Sequence, residues 1–296
     1  MSGMHRNRVK SQGKFRLFIQ MLATVFFNGY IAGIMKGKIF TGKSKGICVP
    51  VLNCYSCPSA LGACPIGALQ TVAGGAKHKI SFYALGILIL FGVILGRLVC
   101  GFLCPFGLFQ DLLYKIPLKK ISIPKKIDKP LRYLKYGILL LFVLVFPAII
   151  TDQYGTGEPW FCEYICPAGT LEGGLFHVAV NPQLRGLVGN LFYWKVFVLL
   201  VVAIGAMKIS RCFCRYLCPL GAFYSLFNRF SCYQMHVNET KCTHCKACEK
   251  VCPMALRVTE EINGGECIRC GKCQAICPEC AVTRNFSLKE KSNISE

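Results

Sequence analysis

Cys242-Thr-His-Cys245-Lys-Ala-Cys248-Glu-Lys-Val-Cys252-Pro253 is followed by Cys267-Ile-Arg-Cys270-Gly-Lys-Cys273-Gln-Ala-Ile-Cys277-Pro278, so the run C-x2-C-x2-C-x3-C-P is written twice. Three close thiolates wrap one face of a [4Fe–4S] cluster, and the fourth, fixed by the proline after it, reaches the neighbouring cluster. The expected ligand sets are therefore crossed: Cys242, Cys245, Cys248 and Cys277 for one cluster, Cys267, Cys270, Cys273 and Cys252 for the other. Tetrahedral zinc also uses C-x2-C pairs. It needs only four ligands, which leaves the regular third and fourth cysteines of each run without a purpose.

Outside this segment the chain of 296 residues, 21 of them cysteine and 53% of them hydrophobic, is neither an ordinary soluble domain nor a small disulfide scaffold. Its apolar residues gather in four runs, Phe15 to Met35, Ile80 to Val99, Leu134 to Ile150 and Leu191 to Met207. Each is near the length that crosses a hydrocarbon core about 30 Å thick. Four transmembrane helices are expected, the third with Lys135 at its entrance and Pro147 near its exit, the fourth with Lys195 snorkelling to a surface. Arg6, Arg8, Lys10, Lys14 and Arg16 precede the first run, which is too long for a signal peptide and lacks a small-residue cleavage site, so it reads as an uncleaved anchor.

Orientation follows from lysine and arginine in the short loops. The basic tail and the loop carrying Lys115, Lys119, Lys120, Lys125, Lys126, Lys129 and Arg132 belong in the cytoplasm, whereas the loop from Thr151 to Asn190 holds Asp152, Glu158, Glu163 and Glu172 against Arg185 alone. Lys36, Lys38, Lys43, Lys45, Lys77 and Lys79, between the first two runs, argue the other way. The majority puts both termini in the cytoplasm of a prokaryotic cell and the protein in its inner membrane, in contact with lipid. A basic belt facing the membrane accounts for the net charge of +21; with no aromatic-basic platform in view, no nucleic-acid partner is expected.

The membrane part has its own repeat, C-P-x-G at Cys64-Pro65-Ile66-Gly67, Cys104-Pro105-Phe106-Gly107, Cys166-Pro167-Ala168-Gly169 and Cys218-Pro219-Leu220-Gly221. Three copies have a cysteine four residues earlier, giving Cys100/Cys104, Cys162/Cys166 and Cys214/Cys218. Positions i and i+4 share a helix face, so each pair presents two thiolates to one point, and the proline suits the first turn of a new helix. If the halves pack about an internal two-fold axis, Cys100, Cys104, Cys214 and Cys218 meet at the inner face and hold one more [4Fe–4S] cluster. At the outer face Cys64, Cys162 and Cys166 would be completed by Cys57 or Cys54, five candidates for four places, either for a cluster or for disulfides. Cys48, Cys212, Cys232 and Cys280 fit no pattern and read as free buried thiols.

With these motifs in place the chain resembles the NapH-type membrane ferredoxins of periplasmic nitrate reductase systems and the membrane and polyferredoxin portion of NosR-type proteins. The resemblance rests on the basic N-terminus, the four runs, the two inner C-x3-C-P motifs and the doubled C-terminal run. It implies an integral electron-transfer subunit of anaerobic respiration, passing electrons between the quinol pool or a cytoplasmic donor and a partner redox protein. Cys100, Cys104, Cys214, Cys218 and the eight cysteines of the doubled run carry over. The NapH pattern lacks Cys54, Cys57, Cys64, Cys162 and Cys166, and the NosR-type flavin domain has no counterpart here.

Gly37-Lys-Ile-Phe-Thr-Gly42-Lys43-Ser44 matches the phosphate-binding pattern G-x4-G-K-[ST] by letter, but an apolar run precedes it where the motif needs a strand, so no nucleotide is expected. No C-x2-C-H haem site occurs. His78 and His177 lie in outer loops and read as solvated imidazoles. The expected organisation is a basic cytoplasmic tail (1–14), a membrane all-α domain (15–232), a small α+β domain of the bacterial 2[4Fe–4S] ferredoxin type (233–284) and a polar tail (285–296). No catalytic triad or carboxylate pair stands out. The reading is a single-electron carrier within an oxidoreductase system, against two other classes: a redox sensor or maturation factor that presents clusters, and a membrane protein that handles soft metals through its outer thiols.

Overall fold

The computed structural model of the chain describes residues 3–75, 82–152 and 157–286. Lys77, Lys79, His78 and the start of the second apolar run at Ile80 lie outside these residues, as does the tail from 287 onward. Helices dominate. The strands Tyr233–Val237 and Val282–Phe286 pair antiparallel in the register Tyr233↔Phe286 to Val237↔Val282 and close the C-terminal cysteine-rich unit.

Four membrane-length helices are expected from the sequence; among the described residues two are long and apolar enough, Lys126–Ile149 and Asn190–Lys208. The first run divides. A long helix, Gly3–Phe27, takes in the basic stretch and most of the run, and a new short helix, Ile31–Lys36, begins beyond Asn28-Gly29. The second run forms the apolar helix Tyr83–Leu95, which stops at Gly96. Gly96 has φ +55°, and a Cβ there would stand 2.6 Å from Asn228 Oδ1, so only glycine makes this turn.

The third run extends further toward the N-terminus than expected, because Lys126–Ile149 forms one continuous rod. Pro147 removes a backbone donor from it. The rod adopts the wider π register over Leu139–Val145, just before the proline, where a helix can absorb such a break. Lys135 does not stand at an entrance. It is fully buried and paired with Glu266, which also accepts from Arg97 Nη1 at 2.7 Å.

Each C-P-x-G element behaves as its proline dictates. Helices Pro65–Gly74, Pro105–Leu113, Pro167–Gly169 and Pro219–Phe227 all start at the proline, with the preceding cysteine as N-cap. Their buried faces, including Ile66, Phe106, Ala168 and Leu220, share one apolar core with Val99, Val143, Phe161 and Phe213. Gly37–Ser44 runs from a helix cap into a 3-10 turn at Lys43–Gly46.

Candidate functional site

The first thiol set is built by two segments of one pattern, Arg97-Leu-Val-Cys100-Gly-Phe-Leu-Cys104-Pro-Phe-Gly107 and Arg211-Cys-Phe-Cys214-Arg-Tyr-Leu-Cys218-Pro-Leu-Gly221. A short helix carries the first cysteine of each, Leu98–Phe102 and Cys212–Tyr216, and a second helix starts after the fourth residue beyond it. The structure brings Cys100, Cys104, Cys214 and Cys218 together, all buried. The thiol charges acting most strongly on Cys218 are those of Cys214, Cys100 and Cys104. Gly221 N–H donates to Cys218 Sγ at 3.3 Å, and Gln110 Nε2 donates to Cys214 Sγ at 3.1 Å while its Oε1 accepts from Phe213 N at 3.1 Å.

Two fully buried guanidiniums flank this set. Arg211 donates to Asp111 Oδ2 at 2.6 Å, and Asp111 also receives Arg16 at 2.8 Å. Burial alone would raise the Asp111 carboxyl, but the Arg211 and Arg16 charges hold it well below the usual carboxylate range. Arg97, Arg211, Gln70 and Gln110 are not among the residues that cysteine spacing picks out. Their signal is present in the sequence: arginine three residues before the first cysteine of each of these two C-x3-C-P pairs, and glutamine six residues after the cysteine of two C-P-x-G elements.

The C-terminal unit sits directly on this set. A Cβ on Gly101 would come within 2.5 Å of the Ile268 carbonyl, Gln12 Nε2 donates to the Cys270 carbonyl at 3.2 Å, and Arg97 Nη1 donates to the Gly265 carbonyl at 2.8 Å. Asn228 joins the two parts, taking Arg97 N–H at 3.0 Å and donating to the carbonyls of Gly264 at 2.6 Å and Cys267 at 3.0 Å. Within the unit the thiols gather in the crossed arrangement. Cys242, Cys245, Cys248 and Cys277 line a cavity of about 420 Å³. The thiols acting most strongly on Cys273 are Cys270, Cys267 and Cys252.

A second thiol set lies at the far end of the Gly3–Phe27 helix, where Leu61 N–H donates to the Phe27 carbonyl at 2.9 Å. Gln70 repeats the part of Gln110: its Nε2 donates to Cys162 Sγ at 3.1 Å and its Oε1 accepts from Phe161 N at 2.9 Å. Gly169 N–H donates to Cys166 Sγ at 3.4 Å. Glu172 Oε2 accepts from Cys54 N at 2.8 Å; burial pushes its carboxyl up to about 7, against the pull of that hydrogen bond. Burial likewise pushes the Cys54 and Cys64 thiols up to about 12, so a thiolate there needs a metal to displace its proton. Burial pushes the Cys162 thiol up to about 11, against the smaller opposing pull of the Gln70 hydrogen bond and the half-buried Lys195 charge. Cys57 Sγ is engaged by other groups, 3.1 Å from Ser59 Oγ and 3.8 Å from Asn28 Oδ1.

Of the unpatterned cysteines, Cys48, Cys212 and Cys232 are buried, whereas Cys280 is exposed, against expectation. His177 is exposed, its Nε2 2.9 Å from the Ser56 carbonyl. Among the described residues no three Cys, His, Asp or Glu side chains converge tightly enough to hold a single metal ion. The donor sets are all thiols, the ligands of a polynuclear iron–sulfur cluster.

Comparison with known proteins agrees with this chemistry. A 4Fe-4S binding domain model matches residues 80–124, 136–181 and 190–231, and a 4Fe-4S dicluster domain model matches 234–278. The uncharacterized protein MJ0750 of Methanocaldococcus jannaschii is 32% identical over 212 residues, 70% of this chain and 79% of that one. The methylamine utilization ferredoxin-type protein MauN of Paracoccus denitrificans is 28% identical over 77% of this chain and 70% of its own length. The ferredoxin-type protein NapH of Haemophilus influenzae is 26% identical over 64% of this chain and 60% of its own. No solved structure matches. With cluster-binding models over both thiol-rich parts and ferredoxin-type relatives along most of its length, the chain belongs to the NapH-like 4Fe-4S ferredoxin family.

Proposed function

We propose that the protein is an integral membrane electron carrier in which single electrons pass from the Cys242/Cys245/Cys248/Cys277 cluster to the Cys252/Cys267/Cys270/Cys273 cluster and on to a cluster held by Cys100, Cys104, Cys214 and Cys218. The observation that carries this reading is the direct packing of Ile268 and Cys270 against Gly101 and Gln12, with Arg97 bridging to Gly265. When bound, the clusters supply one-electron redox chemistry. The chain's own residues set their order, exclude water and aim N–H groups at the sulfurs. The expected gap of about 30 Å across a hydrocarbon core is shortened by recessing. Along the Gly3–Phe27 helix only about 22 Å separates the contact at Gln12 from that at Phe27.

Seating in the membrane is supported by what the long helices leave uncovered. The apolar windows of Lys126–Ile149 and Asn190–Lys208 are 22% and 17% buried, and Phe15, Phe18, Leu22, Val25 and Phe26 continue an exposed apolar belt along the first helix. The core of a soluble protein would hide such surfaces. The basic N-terminal stretch and the Lys115–Arg132 loop contact the ferredoxin unit through Gln12 and Arg132, and their positive charge supports a cytoplasmic location for that end in the inner membrane. The partners are then lipid, a cytoplasmic or quinol-linked donor, and an acceptor in the membrane or beyond it.

The test uses liposomes carrying the anaerobically purified chain and a trapped soluble acceptor. Dithionite added outside should reduce the acceptor with the wild-type chain and fail with Cys218→Ser. Rates equal to those of empty liposomes would sink the reading.

A further inference from the structure

We infer that Cys54, Cys64, Cys162 and Cys166 form a separate four-thiolate site for one more [4Fe–4S] cluster, and that Cys57 lies outside it. The question is the fourth ligand. Two neighbouring cysteines in Cys54-Tyr-Ser-Cys57 compete to join three thiols already brought together by two C-P-x-G turns.

Packing around the glycines decides between them. A Cβ on Gly169 would stand 3.7 Å from Cys54 Sγ and 3.8 Å from Cys166 Sγ, so these thiols flank one glycine. A Cβ on Gly67 would stand 4.0 Å from Cys162 Sγ and from Cys64 Cβ, and one on Gly173 would stand 3.5 Å from Cys54 Sγ. The thiol charges acting most strongly on Cys166 are those of Cys162, Cys54 and Cys64, in that order.

A repeated clamp supports the same choice. Gln70, six residues past Cys64, holds the Cys162 segment, and Gln110, six past Cys104, holds the Cys214 segment. Glu172 stands six past Cys166, and its carboxylate holds the backbone of Cys54. Cys54 is therefore to the Cys166 element what Cys162 is to the Cys64 element. Cys57 has no such clamp, and its thiol is engaged by Ser59 and Asn28.

An independent sign of a missing polar group sits beside Cys54. Asn53 is fully buried, and neither its Nδ2 nor its Oδ1 has a hydrogen-bond partner, a state that native interiors rarely tolerate. Its backbone N–H acts on the Cys64 sulfur. A cluster offers sulfide acceptors, and Lys195 supplies a positive charge to an anionic centre. This site is additional to the proposed electron route and does not require it.

The experiment counts iron and acid-labile sulfide and records Mössbauer spectra on the full chain purified anaerobically. Cys54→Ser and Cys166→Ser should each lose about four iron atoms per chain and the same spectral component, while Cys57→Ser keeps the wild-type content. Full retention in Cys54→Ser, or a loss in Cys57→Ser matching that in Cys166→Ser, overturns the inference. These differences are independent of whether the Cys100 set carries a cluster. If the variants fail to fold, the wild type decides. About sixteen iron atoms, or about twelve of which Cys104→Ser removes none, with all four thiols alkylated on anaerobic unfolding without reductant, supports the site. A disulfide among the four, or a total that is, or that Cys104→Ser brings to, about eight, overturns it.

Discussion

Arg97 and Arg211 each donate to the other's cysteine segment, Arg97 Nη2 to the Cys214 carbonyl at 3.0 Å and Arg211 Nη1 to the Cys100 carbonyl at 2.6 Å. The exchange fixes the two C-x3-C-P segments against each other. Both guanidiniums are fully buried, a costly state that each offsets with a carboxylate, Glu266 for Arg97 and Asp111 for Arg211. The Glu266 pair also ties the ferredoxin unit to the same place, so docking and charge compensation are one device.

Asp111→Asn should destabilise the folded chain by about 3 to 5 kcal/mol, because it strands the buried charges of Arg211 and Arg16. Thermal or denaturant unfolding in detergent checks this. A loss under about 1 kcal/mol, ordinary for an exposed ion pair, would show that the site is wetter than described.

Gln110→Leu should leave iron content unchanged and move one cluster to a more negative potential. Its Nε2 proton stabilises electron density on the Cys214 sulfur, and hydrogen bonds to sulfur help set the potential. Potentiometric EPR reads the shift, which should be absent from the two ferredoxin clusters. An unchanged potential would contradict a role for this contact.

Cys252→Ser should damage the cluster built mainly by Cys267, Cys270 and Cys273 and spare that of Cys242, Cys245 and Cys248, although Cys252 belongs to the first run. EPR loss confined to the Cys242 cluster would undo the crossed pairing.

A reporter active only outside the cytoplasm should be silent when fused after Glu296 and active when inserted near Gly157, as the lysine-rich loops require. The reverse pattern would invert the proposed orientation.

Much of the site could be read from the sequence, because cluster binding leaves its trace in cysteine spacing. The doubled run and the C-P-x-G starts follow from offsets along the chain, while pairing the Cys100 segment with the Cys214 segment needed the added premise of an internal two-fold axis. Hydropathy was a poorer guide. It merged Phe15 to Met35 into one span, but Asn28-Gly29 ends the helix, and Gly96 cuts the second run short at a tight contact with Asn228. Lys135 shows why: a cation inside an apolar run reads as a boundary, yet here its partner Glu266 arrives from 131 residues away. The choice between Cys54 and Cys57 was equally out of reach, since it turns on Glu172 and Gly169, far off in sequence.

The central claim is that two distant segments share one cluster, and the most direct test is iron and labile sulfide per chain in Cys104→Ser, Cys218→Ser and the double variant. Each single change should remove about four iron atoms, and the double change should remove no more than either alone, as expected of residues acting as one unit. The ferredoxin EPR signals should survive in all of them. Additive losses, or full iron retention in either single variant, would mean that Cys104 and Cys218 do not hold the same cluster.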